Sequence, residues 1–237
     1  MISDRLGQWL GQGPHGAVAR EAPPAAPGAV REGPLWGWPK RALDLAFAIV
    51  GLLVAAPLML AIAALIAILD PGPVLFAHAR VGFGGRSFRC YKFRTMAVNG
   101  GEILVRHLAA DPDAAREWRE TRKLRRDPRV GPLGSFLRRT SLDELPQLFN
   151  ILLGDMSCVG PRPIVTDELE RYGASTGDYL RARPGLTGIW QVTGRSSAEY
   201  ATRVLLDTGY VSDWSLRGDL LILCRTPLAL LRFDEAC

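Results

Sequence analysis

From Leu45 to Leu69 the chain runs through 25 consecutive residues without a formal charge. A helix of that length covers a hydrocarbon core of roughly 30 Å, so this stretch commits the protein to a membrane. Lys40 and Arg41 precede it and favour a cytoplasmic start. The run lies too far into the chain, and lacks the cleavage pattern, for a secretory signal. Pro57 stands near its middle, where the ring removes one backbone hydrogen bond and bends the helix. Two geometries remain open at this point. A crossing helix would place everything after residue 70 on the opposite side from Lys40. A kinked helix that enters and leaves one leaflet would keep both ends together, with Asp44 and Asp70 at one interface. Membrane helices tolerate proline, so the pattern alone does not choose.

Around this segment the composition narrows the options. Residues 1–39 hold six prolines and seven glycines with little that could pack, which predicts a flexible leader. The remainder, in a chain of 237 residues, is enough for one domain with appendages. The net charge of +5 suits an anionic membrane surface or a phosphorylated substrate. Acids are mixed into every basic region and no aromatic-and-basic strand pattern appears, which argues against nucleic acid. Four scattered cysteines form neither a CxxC pair nor a disulfide framework, and with three histidines they leave a zinc site little to draw on. The apolar stretch 218–233, broken by Arg225 and Pro227, reads as an interfacial helix pair or as core.

Short apolar runs and glycine turns in GPVLFAHARVGFGGRSFRCYKFRTM, residues 72–96, predict a hairpin. It carries Arg80, Arg86, Arg89, Lys92 and Arg94, either as a solvated basic surface or as phosphate ligands. Residues 102–124 read as helical, with Trp118 at an interface. In TSLDELPQLFN, residues 140–150, Ser141 and Glu144 have the spacing of a capping box, and Leu142, Leu145, Leu148, Phe149 and Leu152 would give the helix an apolar face. Pro146 fits that register poorly, because it falls at the fifth helical position and leaves a carbonyl without its bond. An acid near a helix start feels free amides, which predicts an anionic Asp143. The adjacent Glu144 would resist a second charge unless a cation, or Arg138 and Arg139, compensated. Such a site beside a membrane invites phosphate chemistry; ordinary capping is the plainer reading. In GPRP, residues 160–163, two prolines hold one arginine in a rigid turn. RARPGLTGIWQVTGR, residues 181–195, again joins glycine turns, Trp190 and arginines.

Taken in order, KRALDLAFAIVGLLVAAP, the 72–96 segment, DPRVGPLGSFLRRTSLDELPQLFNILLGDMSCVGPRP, RPGLTGIWQVTGR and YVSDWSLRGDLLILCRTP resemble the bacterial sugar transferases, the monotopic phosphoglycosyltransferases. The match covers almost everything after residue 39. The resemblance implies transfer of a hexose 1-phosphate from a UDP-sugar to undecaprenyl or related polyprenyl phosphate. It makes Asp143 the nucleophile of a covalent route and Glu144 a Mg²⁺ ligand. Arg138 becomes a phosphate contact, and Pro161, Arg162 and Pro163 the turn that helps hold the nucleotide. Arg80, Lys92 and Arg94 are phosphate or structural contacts, and Asp219 supports the basic network near the site. Pro57 becomes the kink of a re-entrant helix, here preceded by Ala56 where many members have serine.

The expected fold class is therefore α+β. It is a mainly helical monotopic membrane enzyme with a re-entrant helix over 40–71, a small strand region, and a cytoplasmic catalytic domain over 72–237 with membrane-interface helices. Expected partners are the UDP-sugar, polyprenyl phosphate and membrane lipids, with no nucleic acid; a homodimer or contact with pathway glycosyltransferases stays open. The expected location is the cytoplasmic face of the bacterial inner membrane, as a compact exopolysaccharide-type member serving galactose or glucose. Two rivals use the same residues: a metal-dependent nucleotide-sugar diphosphate hydrolase, and a non-catalytic membrane scaffold.

Overall fold

The computed structural model describes residues 34, 36–193 and 200–230. Most of the predicted leader, and the last residues of the 183–195 and 218–233 segments, lie outside that set. Among the described residues the chain is mainly helical, with two small sheets. It divides into two compact units, one over 95–135 and one that joins residues 36–94 to 136–230.

Helix α1, Gly37–Leu69, is the uncharged run plus one basic turn. Its 33 residues make about 50 Å of helix, and Pro57 lies inside it. Leu53, Val54, Leu60 and Ile68 are exposed, as suits a bilayer-facing surface, while Ala48, Ile62 and Ile66 are buried. Just before the helix, Trp36 stacks on Trp214 at 5.1 Å and meets Tyr210 edge-on at 5.4 Å. Gly51 leaves room for Leu148, whose methyls lie 3.4 Å from where a Cβ would be.

The predicted hairpin is present as β1, Leu75–Val81, antiparallel to β2, Ser87–Phe93, with His78 opposite Cys90 and Phe76 opposite Lys92. Period-two alternation therefore puts His78, Arg80, Cys90 and Lys92 on one face. Gly84 and Gly85 turn the chain between the strands with φ of 64° and 78°, a region that L side chains rarely enter.

In the 95–135 unit the predicted single helix over 102–124 is two, α2 (Gly100–Ala110) and α3 (Pro112–Thr121). The break follows from Asp111 and Pro112. A residue before proline is pushed out of the helical region, and the Asp111 carboxylate instead caps α3 by accepting from the amides of Asp113 and Ala114. Trp118 is half-buried, and the Arg129 guanidinium lies 5.0 Å from its ring, itself held by Asp127 at 2.6 Å.

Helix α4, Pro132–Thr140, leads to the acid pair, and α5, Gln147–Leu153, follows it. The capping box does not form. Ser141 is in the left-handed region at φ 56° with no side-chain cap bond. Residues Leu142–Glu144 make a 3₁₀ turn, and Pro146 stands at the start of α5 rather than within it. The proline cannot donate into a continuous helix, so the chain tightens before it and restarts after it. The apolar face shifts accordingly: Leu148 and Ile151 are buried, while Phe149 is exposed.

A second, parallel sheet pairs β3 (Ser157–Val159) with β4 (Gly185–Thr187). Short helices α6 (Thr166–Leu169), α7 (Thr176–Arg181) and α8 (Ile189–Thr193) lead on to α9 (Tyr200–Ser212) and α10 (Leu216–Leu230). The last is one helix with Pro227 inside it, not a pair. Ile222 and Ala229 are buried while Leu220, Leu221 and Leu228 are exposed, an amphipathic pattern. The main core gathers Ala48, Leu148, Ile151, Met156, Val159 and Tyr210, so α1 is built into the body that carries the acid pair.

Candidate active site

Asp143 and Glu144 sit in the 3₁₀ turn between α4 and α5, packed on β2. The tight turn places both carboxylates beside Lys92, whose Nζ is 2.6 Å from Glu144 Oε1 and 3.8 Å from Asp143 Oδ2. Asp143 is buried, and this reverses the expectation drawn from a helix start. Burial raises its carboxyl to about 6, aided by Glu144 and opposed by Lys92 and Arg138. Losing water outweighs the cations, because a dry carboxylate has little to replace its hydration.

The frame that fixes this geometry is Asn150, which is fully buried. Its side chain accepts from Tyr91 N at 2.9 Å and donates to Arg89 O at 2.7 Å, locking α5 to the strand that carries Lys92. Its role was not legible in the sequence, where it reads as one more helical residue.

Other predicted site residues divide into two groups. Around the buried Cys90 thiol, pushed up to about 11 by burial, the charges of Lys92, Arg80, Glu144 and Arg162 all act. This places the basic hairpin face, the acid pair and the GPRP arginine in one neighbourhood. Within it Arg80 holds the turn: it donates to Pro163 O at 3.4 Å and pairs with Glu168 at 3.7 Å. The turn is pinned elsewhere by Gly185 N donating to Pro161 O at 2.8 Å, by Gly160 N donating to Thr187 O at 3.0 Å, and by the bridge between Val81 and Ile164. Pro161 is fully buried, and Pro163 and Arg162 are half-buried.

The second group lies with the membrane helix. Arg94 donates to the Asp70 carbonyl and pairs with its carboxylate at 3.4 Å, so it clamps the C-terminal end of α1. Asp219 is fully buried and bonded to Lys40 at 2.8 Å, Tyr210 at 2.8 Å and Trp214 at 3.0 Å. Lys40 in turn lies 3.4 Å from Asp44, which accepts from Ser157 and Cys158. None of these partners belongs to the acid-pair cluster; the network anchors the N-terminal end of α1. Next to it Arg41 donates to Ile151 O at 2.6 Å and Leu152 O at 2.9 Å, satisfying carbonyls at the end of α5. Pro57 lies inside α1, 13 residues from Asp44 and from Asp70.

For a divalent cation, Glu144 offers a carboxylate that is 25% exposed beside the buried Asp143. Among the described residues no group of three or more His, Cys, Asp or Glu side chains could hold a metal. The donors present suit a hard cation that takes one or two carboxylates and completes its shell with substrate phosphate and water, as Mg²⁺ does.

A membrane-associated α+β protein with a buried aspartate and a half-buried glutamate under a basic hairpin is the class that this geometry defines. Residues 36–233 match the family described as bacterial sugar transferase, and the chain belongs to that family. It is 53% identical over 203 residues to the exopolysaccharide production protein ExoY of Rhizobium meliloti, covering 86% of this chain and 89% of the relative. Identity to the undecaprenyl-phosphate galactose phosphotransferase of Salmonella typhimurium is 51% over 197 residues, 83% of this chain but 41% of that larger protein. The UDP-glucose:undecaprenyl-phosphate glucose-1-phosphate transferase of Caulobacter vibrioides is 42% identical over 206 residues, 83% of this chain and 71% of the relative.

Proposed function

We propose that the protein is a phosphoglycosyltransferase that moves a hexose 1-phosphate from a UDP-sugar to a polyprenyl phosphate, the membrane step that opens exopolysaccharide assembly. The observation that carries the reading is the buried Asp143 beside Glu144 and Lys92, in a chain 53% identical to an exopolysaccharide production protein. An Asp143 carboxylate oxygen attacks the sugar-bearing phosphorus, the bond from that phosphorus to the UMP oxygen breaks, and an aspartyl phosphate-sugar forms. An oxygen of polyprenyl phosphate then attacks the same phosphorus and returns the carboxylate, a two-step route through an enzyme-bound intermediate.

Each side chain has a task in this scheme. Asp143 is shielded from water, which strengthens a nucleophile once it is ionised and protects the acyl phosphate from hydrolysis. Lys92 favours that ionised form. Arg138 and Arg162 supply positive charge for the diphosphate, and Arg80 holds the turn that carries Arg162. Glu144 would hold Mg²⁺, which when bound offsets the negative charge on the diphosphate and the departing UMP.

Re-entry of α1 is supported by its two ends. Lys40 and Arg41 at one end, and Asp70 at the other, bond to the same unit that holds the acid pair. A nucleotide sugar is cytoplasmic, so this reading puts the whole unit on the cytoplasmic face of the membrane.

Intact-protein mass tests the scheme. Detergent-purified enzyme is exposed briefly to a panel of UDP-sugars with Mg²⁺ and no polyprenyl phosphate, alongside D143N. A hexose-phosphate adduct that needs Asp143 and is discharged by polyprenyl phosphate is the expected result, and it names the sugar. Active enzyme that never carries the adduct would overturn the aspartyl route.

A further inference from the structure

The GPRP arginine is part of a longer stack. The Arg162 guanidinium carbon lies 5.5 Å from the Trp190 ring centre, and that of Arg203 lies 5.4 Å from the same ring. Arg203 is also 5.2 Å from the Tyr200 ring, on which Arg171 sits at 4.1 Å. Cations and rings thus alternate from Arg162 through Trp190, Arg203 and Tyr200 to Arg171. Each contact is of the kind by which a ring's negative face attracts a guanidinium.

Beneath the stack lies Asp207, 3% exposed. It accepts the Tyr172 hydroxyl at 2.8 Å and pairs with Arg203 at 3.9 Å, and the nearby Arg162 backbone amide draws its carboxyl down. Asp207 therefore lies near the Arg162 backbone and pairs with Arg203, the second cation on the Trp190 ring. Arg203 is itself buried, and among the described residues its Nε and Nη2 meet no hydrogen-bond acceptor. Among the described residues, the contacts of this guanidinium include two ring faces and one carboxylate. A buried cation so sparsely bonded is costly for a structural role alone, since a leucine would fill the space more cheaply.

We infer that Trp190 and Arg203, with Asp207, are positioning residues that hold the Arg162 guanidinium in place for the nucleotide diphosphate of the donor. The inference rests on the proposed function for the donor's identity, and on the stack for the rest. Trp190 gives Arg162 a flat surface that fixes its plane while leaving its N–H edge free to meet phosphate oxygens. Arg203, on the same ring, fixes the orientation of the indole. Asp207 fixes the backbone from which Arg162 projects.

Steady-state kinetics of the full chain in detergent or nanodiscs, with donor and acceptor varied separately, tests this. R162A is expected to raise the donor KM. W190L is expected to raise it on the order of tenfold, the size of a desolvated cation–π contact, with acceptor KM unchanged, and W190F to recover most of the loss. In the R162A background W190L should add nothing, because its effect runs through Arg162. Additive losses, or a fall in kcat with donor KM unmoved, would overturn the positioning role. R203L and R203K provide a second arm if W190L does not fold: the inference expects the same non-additivity with R162A. An R162A variant with unchanged donor KM would instead remove the nucleotide role of Arg162 in the proposed function, an outcome distinct from failure of the stack.

Discussion

Lys92 and Glu144 form a 2.6 Å ion pair, and the same ammonium reaches the buried Asp143 at 3.8 Å. One cation on a hairpin strand thus serves two adjacent acids on a 3₁₀ turn. With Asp143 already raised to about 6 by burial, Lys92 is the strongest influence holding it down.

Replacing Lys92 should therefore move the chemistry along the pH axis. In K92M the acidic limb of the pH–rate profile is expected to shift upward by about one unit, with activity at pH 6 falling by about fivefold. K92R should keep much of the wild-type profile because it restores the charge. A K92M profile with its limb unmoved would show that Lys92 does not tune Asp143.

The same burial makes Asp143 costly to the fold. Its folded-state value of about 6 lies above the ordinary 3.8, so the folded protein holds a proton that the unfolded chain has lost between those values. Stability from this group is fully present below pH 3.8 and is lost as pH rises through about 6. The loss amounts to about 3 kcal/mol when complete. D143N, neutral at every pH, should therefore melt higher than wild type at pH 8 in metal-free buffer, with the gap closing towards pH 4. Thermal melts of both proteins at the two pH values give the comparison; equal melting at pH 8 would contradict the burial argument. Asp207, likewise raised to about 6 chiefly by burial, acts in the same direction in both proteins and cancels in the difference.

Much of this was legible in the sequence, and the reasons differ by segment. The membrane helix announces itself because 25 uncharged residues have few other uses. The hairpin was visible because period two and paired glycines are local signals. Asp143 and Glu144 stood out as an acid pair, but their local geometry did not. A capping box is a pattern of two residues three positions apart, and it says nothing about Ser141 turning left-handed or Pro146 dividing the helix. Asp219 shows a different limit. Its partner Lys40 is far away in the chain, and a single sequence carries no sign of that pairing. Trp190 was noted beside arginines, yet those that stack on it, Arg162 and Arg203, come from other elements.

At the parallel sheet, Gly185 is required by close approach. A Cβ there would lie well inside contact distance of Gly160 N and Thr187 O, both backbone atoms that cannot swing aside. G185A should therefore displace β4 from the GPRP turn, at a cost of about 3 kcal/mol or more. Reduced thermal stability together with a raised donor KM is the expected pair of results. Wild-type stability in G185A would mean that the sheet relaxes more readily than its backbone contacts indicate.

The anchor of α1 gives the last test. Lys40 is buried between Asp44 and Asp219, at 3.4 and 2.8 Å, with both acids fully buried. Breaking a buried pair strands the remaining charge, which typically costs about 3–5 kcal/mol. K40M strands two carboxylates in one pocket and should destabilise the protein by at least that range. Adding D219N removes one of the two charges while keeping a group that can still bond Tyr210 and Trp214, so K40M/D219N should regain part of the loss. That ordering, with the double variant more stable than the single, is what denaturant unfolding in detergent should show. A double variant less stable than K40M would mean that the Asp219 carboxylate matters through its bonds to Tyr210 and Trp214 rather than through Lys40, and that the membrane helix is held chiefly by Arg41 and Arg94.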